Sequence, residues 1–230
     1  VIARPCLASF ALLCACSAPP PAHPSYAGYP AHWWEPVEDE DVPEWEILPQ
    51  AAGPGEVILS KRHELGLLSN FADTPFVYRG QRYASLEGFW QCMKYPEGPD
   101  DPRAKLTGWE HTRAEVRELV AFEAHAAGVA AEAILDRAGI DWVSFEGEEI
   151  RYKGRDVERH YALIVDATRC KVDQNPEVKE VLLATGDLAL RPDHQQEADR
   201  TKAWGYHRIY MLLRDELEAG TFHAPPRPPD

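Results

Sequence analysis

"LLSNFADTPFVYRGQRYASLEGFWQCMK", Leu67 to Lys94, is the stretch whose reading decides the fold. Short extended pieces interrupted by Pro75 and Gly80 give way to a helical pattern. Phe76 to Tyr83 reads as a tight hairpin with Arg79-Gly80 at its turn, and Ser85 as the cap of a helix reaching about Tyr95. At about 100° per residue, Leu86, Phe89, Trp90 and Met93 share one face, which should be core. Glu87, Gln91 and Lys94 form an adjoining stripe. A first-turn Glu sits near the positive end of the helix dipole, which favours its charged form. A carboxylate, an amide and an ammonium beside aromatic rings suit a polar pocket with an apolar wall. The same spacing also describes an ordinary solvated helix face, and the pattern alone leaves both readings open.

Outward from this stretch, Glu56 to Ser60 reads as a strand, and Trp142 to Gly154 as a second hairpin. Thr112 and Glu115 have capping-box spacing and open a helical run, expected to break near Gly128 and to end before Gly139. Helical patterning resumes from about Val157 to Lys171. Asn175-Pro176 marks an N-cap with Pro at the first helical position, and Gly186 the stop. A last helix runs from about Ala203 to Leu217. Helices dominate and strands are short, so the expected class is α+β, a mainly helical single domain with short β-hairpins.

The formal net charge of -14 over 230 residues argues against broad electrostatic binding to nucleic acid or an anionic membrane surface. Residues 1–15 combine Arg4, an apolar run and small residues in the order of an export signal. The run is too short to span a bilayer as a permanent helix. Leu13, Ala15 and Cys16 fit a bacterial lipoprotein cleavage box, with Cys16 the lipidated residue. A lipid-anchored cell-envelope protein is expected from this, or a cytoplasmic one if the apparent leader is a start-site artefact. Residues 16–55 read as a Pro-rich acidic linker: Glu35 to Glu46 holds seven acidic residues and no basic one. Trp33, Trp34 and Trp45 within it point to docking on the domain or on a partner. The domain proper is expected over 56–219, followed by a Pro-rich tail at 220–230.

The opening stretch resembles the signature of the NADAR superfamily, named for NAD and ADP-ribose. The matching pieces are Ser69-Asn70-Phe71, Pro75-Phe76, and Ser85-x-Glu87 followed by Gln91 and Lys94. "DQNPEVKEVLLATGDLAL" (Asp173 to Leu190), Trp204-Gly205 and "MLLRDEL" (Met211 to Leu217) resemble later family segments in the expected order. The resemblance implies an N-glycosidase that separates a base or amine from ribose phosphate or ADP-ribose. It makes Glu87 the catalytic carboxylate, since a fixed anion stabilises the cationic sugar of the transition state. Lys94 would bind phosphate or attack the anomeric carbon as a neutral amine. Asp193 would activate water or position a ribose hydroxyl. Asn70, Phe71, Gln91, Trp142 and Trp204 would contact substrate.

The sequence departs from the family where Gly88 stands in place of a His and Thr201 in place of an Asp. "WGYHRIYMLL" also runs into the last helix without the family's Gly/Asn loop. The resemblance therefore leaves a catalytically inactive binding module as the second reading. A lipoprotein whose Trp-rich acidic stalk is the working part is the third. No phosphate-loop spacing and no His pair of zinc-site spacing occurs, so neither cofactor nor metal is expected. Arg151, Lys153 and Arg155 form the best basic cluster. It would meet a phosphate or simply solvate a hairpin edge.

Overall fold

The computed structural model describes residues 26–38, 41–196 and 202–226. At its centre lies α1 (Leu86–Cys92), in which every residue is buried. Ser85 caps the helix, its hydroxyl oxygen accepting from the Gly88 N–H at 2.9 Å. Phe89 meets Phe76, Tyr78, Tyr83 and Phe145 edge to face, with ring centroids 4.9–6.3 Å apart. Those rings come from two antiparallel hairpins, β2 (Phe76–Tyr78) with β3 (Gln81–Tyr83) and β4 (Val143–Phe145) with β5 (Glu148–Ile150). Arg79 and Glu146, both at positive φ, form the turns with Gly80 and Gly147.

Around α1 pack α2 (Arg113–Arg117), α3 (Ala121–Arg137), α4 (Val157–Gln174), α5 (Pro176–Ala184) and α6 (Tyr206–Glu218). The Thr112–Glu115 capping box starts α2. The helical run breaks at Glu118–Val120, and α3 continues straight through Gly128. The expected break at Gly128 is thus misplaced. Gly128 has a packing role instead: a Cβ there would lie 1.8 Å from Gln91 Oε1. Gly88 is also a packing residue. Its Cβ would meet the carbonyl oxygens of Leu119 and Val116 at 2.7 and 3.0 Å, leaving no room for an imidazole.

Asn175 precedes α5 as expected, but its side chain does not cap it. The amide donates to the Pro75 and Lys171 carbonyls at 3.1 and 2.8 Å. The pairing the hairpin pattern does not predict is parallel: β1 (Glu56–Ile58) lies beside β6 (Ala189–Arg191), 133 positions apart at Glu56 and Ala189. The molecule is a mainly helical α+β domain with short strands.

The stretch 16–55, expected as a linker, packs on the domain over its described part. Trp33 is fully buried and donates to Glu64 Oε1 at 2.7 Å, and Trp34 donates to the Glu56 carbonyl at 2.9 Å. Glu46 bridges to His194 and pairs with Arg62. The tryptophans that point to docking in the sequence make these contacts, and their burial outweighs the cost of ordering a short segment. The expected signal and Cys16 lie outside the described residues. No helix of the described residues is long and apolar enough to cross a membrane.

Trp33→Ala should lower unfolding free energy by about 3–5 kcal/mol, as Trp deletion in a packed core does. Chemical denaturation measures it. Lys171 gives a second expectation. It is fully buried, and burial pushes its pKa down from 10.5 to about 7. Between those values the unfolded chain binds a proton that the folded one does not, so the burial penalty shrinks as pH rises. The native chain should therefore gain about 1.4 kcal/mol per pH unit between 7 and 10.5 from this residue, and Lys171→Met, which carries no ammonium to bury, should lose that part of the stability–pH slope.

Candidate functional site

A cleft of about 810 Å³ opens along the polar stripe of α1. Glu87 enters it first. Its backbone N–H donates to the Asn70 carbonyl at 2.9 Å, which fixes the start of α1 against the Ser69–Phe71 loop. That loop is fixed in turn by Lys171, whose ammonium donates to the Ser69 carbonyl at 2.8 Å. Glu87 is only 6% exposed, and its carboxylate accepts from Gln91 Nε2 at 2.7 Å and lies 3.5 Å from His125 Nδ1. Gln91 Oε1 is buried without a partner among the described residues. The amide can lie there because α3 carries no side chain at Gly128.

Further along, the Lys94 ammonium donates to the Gly128 carbonyl and to Glu132 Oε2, at 3.2 and 3.0 Å, and stands 5.7 Å over the Trp90 ring. Burial holds the Lys94 pKa below its ordinary value, although Glu132 pulls the other way. Glu132 also accepts from Lys153 at 3.0 Å. Burial alone would raise Glu132, but the two lysines outweigh it and hold the carboxyl low. Of the basic cluster in the second hairpin, Lys153 alone reaches the cleft. Arg151 pairs with Asp141, and Arg155 with Asp156.

The aromatic wall is Trp90, Tyr152 and Trp204, with Trp90 4.9 and 5.1 Å from the other two. His160 lies against Trp90 at 4.6 Å, fully buried, with both ring nitrogens unpartnered among the described residues. Burial pushes its pKa down to about 4.

The structure brings Asn70, Phe71, Glu87, Gln91, Lys94 and Trp204 together on one cleft. It does not bring Trp142 there. That ring is buried under the Arg103 guanidinium at 4.5 Å, a cation–π contact inside the domain. Nor does Asp193 line the cleft. It is buried just behind the wall, paired with Lys61 and His194 and accepting from the Tyr206 hydroxyl. Burial would raise its pKa, but the bonds from His194 and Lys61 outweigh that and hold it low. Asp193 thus positions Lys61, His194 and Tyr206, three groups that do face the cleft. Thr201 lies outside the described residues.

Sequence reasoning missed His125, Glu132 and His160. His125 and Glu132 share with Phe122 and Val129 one stripe of α3, at i, i+3, i+7 and i+10. Two bulky apolar residues on the polar side of an amphipathic helix were the available signal. Nothing in the sequence separates His160 from a core histidine. Among the described residues no cluster of His, Cys, Asp or Glu could hold a metal ion.

No family model and no curated protein matches the chain. Among solved structures it is similar to the NMR structure of the E. coli protein YbiA. The identity is 22% and the TM-score 0.44, over 71% of this chain and 86% of that one.

Two expectations follow from the geometry. Gly128→Ala should force Gln91 away from Glu87, at a cost of about 1–3 kcal/mol in stability. A crystal structure of the variant should show that hydrogen bond broken. For His160 the folded pKa of about 4 lies below the ordinary 6.5. Below pH 6.5 the unfolded chain binds a proton that the folded chain excludes, so stability falls as pH drops from 6.5 towards 4, by about 3 kcal/mol for this residue. His160→Phe should flatten that part of the stability–pH curve.

Proposed function

We propose that the cleft is an N-glycosidase site, hydrolysing the C–N bond between a base or amine and a ribose phosphate or ADP-ribose. The observation that carries this reading is the Glu87 carboxylate, held nearly out of water on the wall of a polar and aromatic cleft. Loss of the base builds positive charge on the sugar. An anion fixed in a poorly solvated site stabilises that charge without first having to reorganise. Gln91 orients the carboxylate through its Nε2.

Lys94 and Lys153 supply the positive charge that a substrate phosphate requires. The bonds from Lys94 to Glu132 and Gly128 favour its service as a fixed cation. Its lowered pKa favours the other role: the neutral amine bonds to the anomeric carbon as the base leaves with a proton, the ribose ring opens to an imine, and water hydrolyses that imine to free sugar and lysine. Borohydride added during turnover separates the two: a covalent adduct on Lys94 supports the imine, and unmodified protein supports the phosphate role.

Release of free base from ADP-ribosylated guanine and from a pyrimidine ribose phosphate tests the reading. Glu87→Gln keeps the shape and removes the charge, and should slow release by roughly a hundredfold or more. Equal background rates for both proteins, with substrate still bound, would make the cleft a nucleotide-binding module without catalysis. Export on a lipidated Cys16 belongs to the same proposal, and the intact mass of protein from its native cells checks it.

A further inference from the structure

Three of the large apolar side chains left in solvent lie together at the mouth of this cleft. Trp45 is 45% exposed, Phe122 59% and Val129 55%. Phe122 meets the edge of Phe71 at 5.2 Å and of Trp45 at 6.2 Å. The Lys61 ammonium lies 5.7 Å over the Trp45 ring and 5.4 Å over Phe71. Packing does not account for Phe122, because α3 already buries Ala124, Ala127, Ala131, Ile134 and Leu135 on its other side. The residue before it, Ala121, has φ +48°, a left-handed conformation that costs an L-residue about 1–2 kcal/mol. Strain of this kind persists where surrounding structure imposes it, and it gathers at ligand sites.

The contacts along α1 and α3 fall in one order. Phe122 stands at the mouth, His125 beside Glu87, Gly128 beside Gln91, and Glu132 beside Lys94. Seven residues of helical rise, roughly 10 Å, separate the level of Glu87 from that of Lys94. The cleft is therefore graded: Trp45, Phe71, Phe122 and a Lys61 already paired with Asp193 stand at one end, a carboxylate between, and Lys94 and Lys153 over the Trp90 and Tyr152 rings at the other. We propose that Trp45, Phe71 and Phe122 form a subsite that stacks the flat heteroaromatic ring of the ligand, the group that departs, while its phosphate lies toward Lys94 and Lys153. This deepens the glycosidase reading and rests on it for the direction in which the ligand lies. It also accounts for the exposure of Trp45, through which the segment ahead of β1 contributes one wall of the site.

Calorimetric titration of the full chain with adenosine 5′-monophosphate and with ribose 5-phosphate tests the subsite. The first carries a flat ring and the second does not. The native protein should bind the nucleotide roughly tenfold or more tightly than the sugar phosphate, as base stacking on exposed aromatics does. Trp45→Ala with Phe122→Ala should abolish that preference and leave ribose 5-phosphate affinity unchanged. Trp45 is about half exposed and Phe122 more than half, so the double variant should melt within a few degrees of the native protein. Equal affinity for the two ligands in the native protein, absence of nucleotide binding at millimolar concentration, or a preference that survives in the double variant would each overturn the subsite. The two proposals fail separately. Glu87-dependent base release without a ring preference sinks the subsite alone. A ring preference lost in the double variant, without Glu87-dependent release, keeps the subsite and sinks the glycosidase.

Discussion

A carboxylate held out of water on a helix buried from every side is the constraint around which this molecule is arranged. Burying a charge is costly unless partners meet it. Glu87 has its partners close by: the Gln91 amide one turn along the same helix and the His125 ring on α3. The Gln91 amide needs room, and α3 supplies it by being bare at Gly128. α1 can approach the α2–α3 connection because it too is bare, at Gly88. Two glycines on two helices thus let a polar pair sit inside a close-packed core.

The second support is the loop before the first hairpin. Its carbonyls face inward, and α4 and the residue after it satisfy them. Lys171 donates to Ser69, Gln174 pairs with both backbone groups of Val77, and Asn175 donates to Pro75. The loop returns that rigidity to the site through the bond from the Glu87 N–H to Asn70. The lowered pKa of Lys171 and the rigidity of the site therefore share a cause. A donor with no access to water holds the buried Ser69 carbonyl, and the burial that puts the lysine there also lowers its hold on its proton.

Much of the local structure was legible because it depends on neighbours in the chain. The Ser85 cap, the Thr112–Glu115 capping box and the Arg79-Gly80 turn are each fixed by residues within four positions, so spacing suffices. The helix break was misread for a related reason. Gly128 looks like a breaker locally, and only a side chain from another helix shows it to be a socket. Trp142 and Trp204 are equally plausible in sequence as stacking residues. Arg103, 39 positions earlier in the chain, claims the first, while Trp90 draws the second to the cleft.

The sequence by itself determined the hairpins, the succession of helices and the polar stripe of Glu87, Gln91 and Lys94, because periodicity and capping are short-range properties. Only the tertiary structure decided that this stripe faces a cleft rather than bulk water. The same i, i+4, i+7 pattern serves both, and the difference lies in what packs opposite. That opposite wall comes from α3, from the turn after the second hairpin, from α4 and from a tryptophan ahead of the first strand. Long-range burial assembles these elements, and no local pattern encodes their meeting.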